Sequence, residues 1–187
     1  MPATNDKAAL RRRVREAFPG SAARDAESAL ICRHVLEWEV YRTAKVIGGY
    51  MPMAHEADVT AILLDALKQG KTLLLPRCGR KPDMVFHRVQ SLEELVPGAY
   101  GLLEPAPDAP VAEPGCIDLL LTPLEALTPD GWRLGKGGGY YDHLLQAHDL
   151  MTLGVALSWQ WVEALPLESW DRPLRAAADR SGIRLFE

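Results

Sequence analysis

Cysteine is scarce and scattered in this chain. Only Cys32, Cys78 and Cys116 occur among 187 residues, odd in number and without a CxxC pair. That excludes a disulfide framework or a zinc knuckle and suits a reducing compartment. Long apolar runs are also missing. The longest, such as Leu119-Leu120-Leu121, fall far short of the roughly 20 residues that a membrane-spanning helix needs. Met1-Pro2-Ala3-Thr4-Asn5-Asp6 carries no apolar stretch, so no secretory signal is expected. Positive charge is not in surplus: 21 Lys and Arg against 25 Asp and Glu give a formal net charge of −4. Nothing draws the whole molecule to nucleic acid or anionic lipid, so any anion site must be local. With 48% hydrophobic and 25% charged residues, the composition is that of an ordinary folded domain. The expectation is one domain over residues 1–187, in the cytoplasm, with no nucleic-acid or membrane partner, and a monomer.

There is no internal repeat. Asp6 to Ala17 reads as a helix with Leu10, Val14 and Ala17 on one face, ended by Pro19-Gly20. Ser21 is placed to cap a second helix reaching about Trp38. Val46 to Tyr50 reads as a strand. Asp58 then caps a helix whose stripe is Val59, Ile62, Leu63, Ala66 and Leu67, with Gly70 at its stop. Thr72 to Leu75 is the next strand, closed by Pro76. This order predicts a parallel pair with a crossover helix. Met84 to Val89 reads as a strand, and Ser91 with Glu94 as a capping box. The stretch 97–115 is a surface loop, Ile117 to Thr122 a strand and 123–139 a loop. Tyr140 to Ala147 reads as a helix and Thr152 to Leu157 as a strand. The last thirty residues show no clear pattern.

The densest signal is Asp130-Gly131-Trp132-Arg133-Leu134-Gly135-Lys136-Gly137-Gly138-Gly139-Tyr140-Tyr141-Asp142, which holds five of the fifteen glycines. Glycines let backbone amides close on an anion and permit positive φ. Arg133 and Lys136 add charge, and a helix starting at Tyr140 adds free N–H groups. These features make a phosphate cradle, though a surface loop with turns uses the same residues. The spacing is neither the Walker A pattern nor GxGxxG. Asp142 suits Mg²⁺ ligation beside phosphates and equally an acidic residue at a helix N-terminus. His55-Glu56 is not HExxH, because Val59 stands at the second His position. His143 and His148 read as surface or packing residues. Trp159, Trp161 and Trp170 could stack a flat ring, although packing is the commoner use of Trp.

At this loop the chain resembles the 5-formyltetrahydrofolate cyclo-ligase family, whose loop has the form G-x-R-L-G-x-G-x-G-Y-Y-D. Lys7 and Arg11 match a Lys–Arg pair four apart near the N-terminus, a spacing that puts both cations on one helix face but equally suits a solvated basic face. Tyr50 to Thr60 matches the loop after the first strand. Leu75-Pro76-Arg77, Met84-Val85-Phe86 and Tyr100 to Pro105 match middle blocks. Leu153 to Ala156, Gln160, Leu165-Pro166 and Asp171 match the C-terminal pattern. Three departures stand out. The family's P-G-x-x-F-D is here Pro123-Leu124-Glu125-Ala126-Leu127-Thr128, the second Asp past Asp171 is replaced by Arg175, and a Thr-Glu near the end by Ala178-Asp179.

The resemblance implies a three-layer α/β fold: an open, mostly parallel sheet with helices on both faces. This Rossmann-like architecture is also that of sugar-phosphate isomerases and CoA transferases. It implies that ATP and 5-formyltetrahydrofolate give 5,10-methenyltetrahydrofolate, ADP and phosphate. Phosphoryl transfer to the formyl oxygen makes an imidoyl phosphate, which N10 attacks as the ring closes. The implied nucleotide site is Lys7, Arg11, Arg133, Leu134, Gly135, Lys136, Gly137, Gly138, Gly139, Tyr140 and Tyr141. Tyr50, Met51 and Glu56 would meet the folate, and Asp142 and Asp171 would hold Mg²⁺. Glu56, Lys136 and Tyr140 are the implied catalytic residues. A paralogue acting on another formamide, or a nucleotide- or folate-binding protein without catalysis, is the alternative.

Overall fold

The structure, a computed structural model, describes residues 6–186. Residues 1–5, read above as lacking a secretory signal, lie outside the described residues. Helix α1 (Lys7–Glu16) is capped by Asp6, whose Oδ1 accepts the Ala8 N–H at 2.8 Å. It buries Leu10 and Val14, while Ala17, expected on the same stripe, is the exposed C-cap where the helix has already ended. In α2 (Ser21–Glu37) the N-cap is Gly20, not Ser21, and no side chain caps it. With φ at 106°, Gly20 turns the chain so that Ser21 is already helical. A short α3 (Glu39–Thr43), not anticipated from the sequence, leads into β1 (Val46–Gly48).

Helix α4 (Thr60–Lys68) starts where Asp58 Oδ1 accepts the Thr60 N–H at 3.0 Å. It ends at Gly70, φ 71°, with the Gly70 and Lys71 N–H groups returning to the carbonyls of Leu67 and Ala66. Strand β2 (Thr72–Cys78) runs straight through Pro76, which was expected to close it. The hydrogen bonds explain this. Thr72 donates to Lys45 and Leu74 accepts from Gly49, so alternate residues of β2 face β1. Pro76 faces the same side, where β1 has ended, and its missing N–H breaks no ladder bond. β3 (Met84–Val89) matches expectation, as does the Ser91–Glu94 capping box. The expected loops hold short strands: β4 (Val96–Pro97), β5 (Leu103–Glu104) and β6 (Val111–Ala112). β7 (Leu119–Thr122) is followed by a hairpin of β8 (Ala126–Leu127) and β9 (Arg133–Leu134). Then come α5 (Tyr140–Ala147), β10 (Thr152–Val155) and the pair β11 (Ala176–Asp179) and β12 (Gly182–Leu185).

The main sheet has eight strands in the order β12-β11-β10-β7-β1-β2-β3-β6. The strands from β11 to β2 pair parallel, whereas β12, β3 and β6 join antiparallel. The central strands are apolar because both faces are covered. Ile47, Leu73, Leu119, Leu121 and Leu153 pack with Ile31, Val35, Ile62 and Leu63 of α2 and α4. On the opposite face, Leu74 and Leu120 pack with Leu144 of α5. The expected three-layer, mostly parallel α/β architecture is therefore present. Helix α1 packs instead on the hairpin, with Leu10 and Val14 against Ala126 and Leu134.

Lys71 ties this frame together at the amino-terminal edge. Its Nζ donates to the carbonyls of Tyr41 at 3.0 Å, Arg42 at 3.0 Å and Ala44 at 2.6 Å. Lys71→Met keeps the stem but leaves these carbonyls without a charged donor, and is expected to cost about 1.5–3 kcal/mol. Urea unfolding reads this, and an unchanged midpoint would show that water replaces the ammonium at no cost.

Candidate functional site

Strand β1 steps to β2 in one direction along the sheet, and β7 steps to β10 in the other. A crevice therefore opens at the carboxyl ends of β1 and β7, the topological switch point where open α/β sheets bind ligands. A cavity of about 510 Å³ lies there. It is walled by α1, by the segment after β1, by the end of β2, and by the glycine loop between β9 and α5.

The glycine loop is held from beneath. The Arg133 side chain is 3% exposed and its Nη2 meets Asp142 Oδ1 at 2.6 Å. Its Nη1 donates to the carbonyl of Pro123 at 3.4 Å, and its guanidinium lies 5.6 Å from the centre of the Tyr141 ring. One buried cation thus joins the hairpin, the end of β7 and the first turn of α5. Above it, Gly137 and Gly139 adopt φ of 88° and 72°, and Gly139 is the N-cap of α5. A side chain at either position would strain the backbone. The first-turn amides of α5 have no intrahelical partner, so this loop can receive an anion.

Cations from other elements converge on it. Arg11 Nε donates to the carbonyl of Gly135 at 2.7 Å, and its guanidinium lies over Gly137. Lys7 is bound by Asp171 at 2.8 Å and Glu168 at 2.6 Å. Burial works against its charge, but these carboxylates outweigh burial and raise its pKa. Lys136 Nζ sits 2.6 Å from Glu56 Oε1 as an ion pair, off the direction of a hydrogen bond. Glu56 Oε2 accepts the Met53 N–H at 2.8 Å. The cradle and the segment after β1 are therefore latched across the cavity.

The buried side-chain polar atoms that lack a hydrogen-bond partner among the described residues are Tyr50 Oη, Glu56 Oε1 (which has only the Lys136 ion pair), Thr122 Oγ1, Arg133 Nε and Tyr141 Oη. Four of these residues line the cavity, and Thr122 precedes its lining residue Pro123. Buried polar groups are normally paired, so this concentration marks a place for a polar ligand. Burial, then Glu56, pushes the Tyr50 phenol up; burial also raises Tyr141. Both hydroxyls stay protonated and can donate. Tyr140 is shallower: its Oη meets Tyr100 Oη at 3.2 Å and donates to the carbonyl of Gly79 at 3.3 Å.

The residues that the resemblance assigned to the site all line this cavity: Lys7, Arg11, Tyr50, Met51, Glu56, Arg133 to Asp142, and Asp171. Asp142 holds Arg133 and Asp171 holds Lys7. Among the described residues no three His, Cys, Asp or Glu side chains cluster to hold a metal. Single carboxylates of this kind suit Mg²⁺ bound chiefly through phosphates and water, not a protein cage. Of the tryptophans, Trp170 lines the cavity, whereas Trp159 packs edge-on against Phe18 and Trp161 lies under Arg184. Arg175, Ala178 and Asp179, the C-terminal departures, do not line it. Among the described residues no helix is long and apolar enough to cross a membrane.

Sequence reading missed Arg15, His55 and Glu125. Glu125 is 1% exposed, accepts Arg15 Nη2 at 2.6 Å, and lies 3.1 Å from His55 Nε2. Its one visible signal is a carboxylate inside the apolar stretch Leu124 to Leu127.

Fold and site together define an α/β domain with a glycine loop, open to an anion, at a sheet switch point. The sequence profile of the 5-formyltetrahydrofolate cyclo-ligase family matches residues 3–179. The 5-formyltetrahydrofolate cyclo-ligase of Haemophilus influenzae is 31% identical over 169 residues, covering 87% of this chain and 90% of that protein. The mouse protein of the same name is 29% identical over 180 residues, covering 88% and 87%. The solution structure of Aquifex aeolicus 5,10-methenyltetrahydrofolate synthetase superposes with a TM-score of 0.86 at 30% identity, covering 97% of this chain and 93% of that one. The chain belongs to the 5-formyltetrahydrofolate cyclo-ligase family.

The Glu125 carboxyl has a pH consequence. Burial pushes its pKa up, but the hydrogen bonds from His55 and Arg15 outweigh burial and hold it at about 2, below its ordinary value of 4.5. A lowered carboxyl pKa contributes stability above the unfolded value, lost as pH falls through the folded one. Wild-type protein is expected to lose up to about 3 kcal/mol through this group between about pH 4.5 and 2. Glu125→Gln should flatten acid unfolding in that window, and equal slopes for the two proteins would contradict the assignment.

Proposed function

We propose that this chain uses ATP to convert 5-formyltetrahydrofolate to 5,10-methenyltetrahydrofolate, releasing ADP and phosphate. Family membership supports the reaction. The observation that carries the assignment of residues is the Lys136–Glu56 pair, which spans the glycine cradle and the loop after β1. The nucleotide and folate subsites thereby come within one side chain's reach of each other, as direct phosphoryl transfer between two bound substrates requires.

The chemical difficulty is a formamide oxygen that leaves poorly. In our reading, Lys7, Arg11 and Lys136, with the amides of Gly137 to Gly139, take up charge on the triphosphate and hold the γ-phosphoryl group in line with the formyl oxygen. Arg133 shapes the cradle from below. Leu134, Gly135 and Tyr141 complete the nucleotide wall. Tyr50, Met51 and Glu56 hold the folate, and Tyr140 closes over the junction. Glu56 accepts a hydrogen bond from the pteridine or from N10, which orients the nucleophile. Asp142 and Asp171 flank the phosphates and would hold Mg²⁺ through single carboxylates, directly or through water. Mg²⁺ would neutralise charge on the transferring group. We place the protein in the cytoplasm as a monomer, in keeping with three free cysteines.

A continuous spectrophotometric assay of methenyl product, run with and without ATP and Mg²⁺, tests the function. Product without ATP, or none with it, would refute the reaction. Lys136→Ala is expected to remove about 2–4 kcal/mol of transition-state stabilisation, lowering kcat/KM roughly thirtyfold to a thousandfold. Unchanged activity would refute the placement of the nucleotide. Chelation with EDTA should stop turnover, and added Mg²⁺ should restore it. Full activity in EDTA would remove Asp142 and Asp171 from the reaction.

A further inference from the structure

Behind the cavity wall lies a carboxylate that this mechanism does not use. Glu125 does not line the cavity, but its partners Arg15 and His55 both do. Arg15 grips it at both oxygens, Nε to Oε2 at 3.1 Å and Nη2 to Oε1 at 2.6 Å, while His55 Nε2 lies 3.1 Å from Oε1. An ionised carboxylate only accepts hydrogen bonds, so Nε2 of His55 must carry its proton. With that proton on Nε2, the lone pair of an imidazole ring lies on Nδ1. Nδ1 has no partner among the described residues. Nε2 is turned to Glu125 behind the wall, while the His55 residue itself lines the cavity.

His55 belongs to the same segment as Met51 and Glu56, the segment read above as the folate wall. His55 and Glu56, successive residues, both line the cavity. A bare structural role explains Glu125 poorly. It sits beside Leu124, Ala126 and Leu127, all buried in apolar clusters, and an apolar side chain usually serves such a place at no loss of stability. The family pattern P-G-x-x-F-D fixes no residue type at this position. The carboxylate is coupled across the fold to His55.

We propose that His55 is a substrate-contacting residue whose Nδ1 accepts a hydrogen bond from an N–H of the reduced pteridine. Glu125 is the positioning residue that fixes its tautomer, with Arg15 holding Glu125. This deepens the cyclo-ligase reading and rests on it for the identity of the ligand. A reduced pteridine carries ring N–H and amino donors along one edge, which two neighbouring acceptors, Glu56 and His55, can take together.

The test is calorimetric binding of 5-formyltetrahydrofolate to wild type and variants without ATP, alongside steady-state turnover. His55→Ala is expected to weaken folate binding about tenfold and raise KM for folate alike, with KM for ATP unchanged. His55→Gln, whose amide can donate to Glu125 while its carbonyl fronts the cavity, should recover most of the loss. Glu125→Gln should weaken folate binding less than His55→Ala, and the double variant should be no worse than His55→Ala alone, because one residue acts through the other. Thermal unfolding of each variant separates loss of folding from loss of contact, and the two half-exposed His55 variants decide the matter if Glu125→Gln does not fold. Unchanged folate binding in His55→Ala, parallel rises in both KM values, or additive losses in the double variant would each overturn the proposal. Wild type that binds folate without turnover would refute the cyclo-ligase reading while leaving this contact measurable. Wild type that binds no folate would end both.

Discussion

The site depends on one buried guanidinium. Arg133 sits under the glycine loop, and removing such a charge from water costs several kcal/mol unless partners meet it. Asp142, the Pro123 carbonyl and the Tyr141 ring supply those partners. Asp142 and Tyr141 come from the first turn of α5 and Pro123 from the end of β7, while Arg133 itself is on the hairpin, so the guanidinium is compensated only when these three elements have come together. The cost of burying it therefore enforces one arrangement of the loop. That fixes the backbone amides above it, whose positive-φ glycines could otherwise adopt many conformations.

This dependence explains which parts were legible in the sequence. Glycine and apolar periodicity report local backbone geometry, so α4, α5, β3 and the cradle could be read directly. Pro76 misled because its effect depends on where β1 stops, a tertiary fact. The strands β8 and β9 are two residues each, too short for an alternating pattern to show. Glu125 is the extreme case: its partners Arg15 and His55 lie 110 and 70 positions away. No spacing rule joins them, and only the anomaly of a carboxylate among leucines hinted at a paired charge.

The departures around residue 124 also have a physical account. Leu124 and Leu127 pack with Ala156, Leu174 and Ala177. Leu124 closes over Gly154, where an added Cβ would lie 3.1 Å from Leu124 and 2.4 Å from Leu174. Thr128 Oγ1 accepts the Trp132 N–H at 3.0 Å and donates to Asp130. It ties off the hairpin turn much as an aspartate there would. The changes from the family pattern thus preserve the packing and the turn that carry the glycine loop, and Glu125, at a position the pattern leaves free, adds a buried charge between them.

The charges of the cavity are arranged to be exchanged. Six Lys and Arg side chains line it against five carboxylates, so the site is close to neutral, not the strongly positive cradle that the glycine loop suggests in isolation. Lys7, Arg133 and Lys136 are each held by a carboxylate, while Arg11 rests on a backbone carbonyl. A triphosphate entering this site would not find free cations waiting in water. It would find cations already positioned by carboxylates. That costs attraction, because each pair must loosen or accept a third partner. It gains geometry, because long side chains that are already ordered lose less freedom on binding. For phosphoryl transfer between two bound molecules, where catalysis is largely positioning, such an exchange of attraction for order favours turnover over tight binding. A near-neutral site also leaves much of the nucleotide's charge unmatched by protein, which makes a divalent cation the natural complement to this set of side chains.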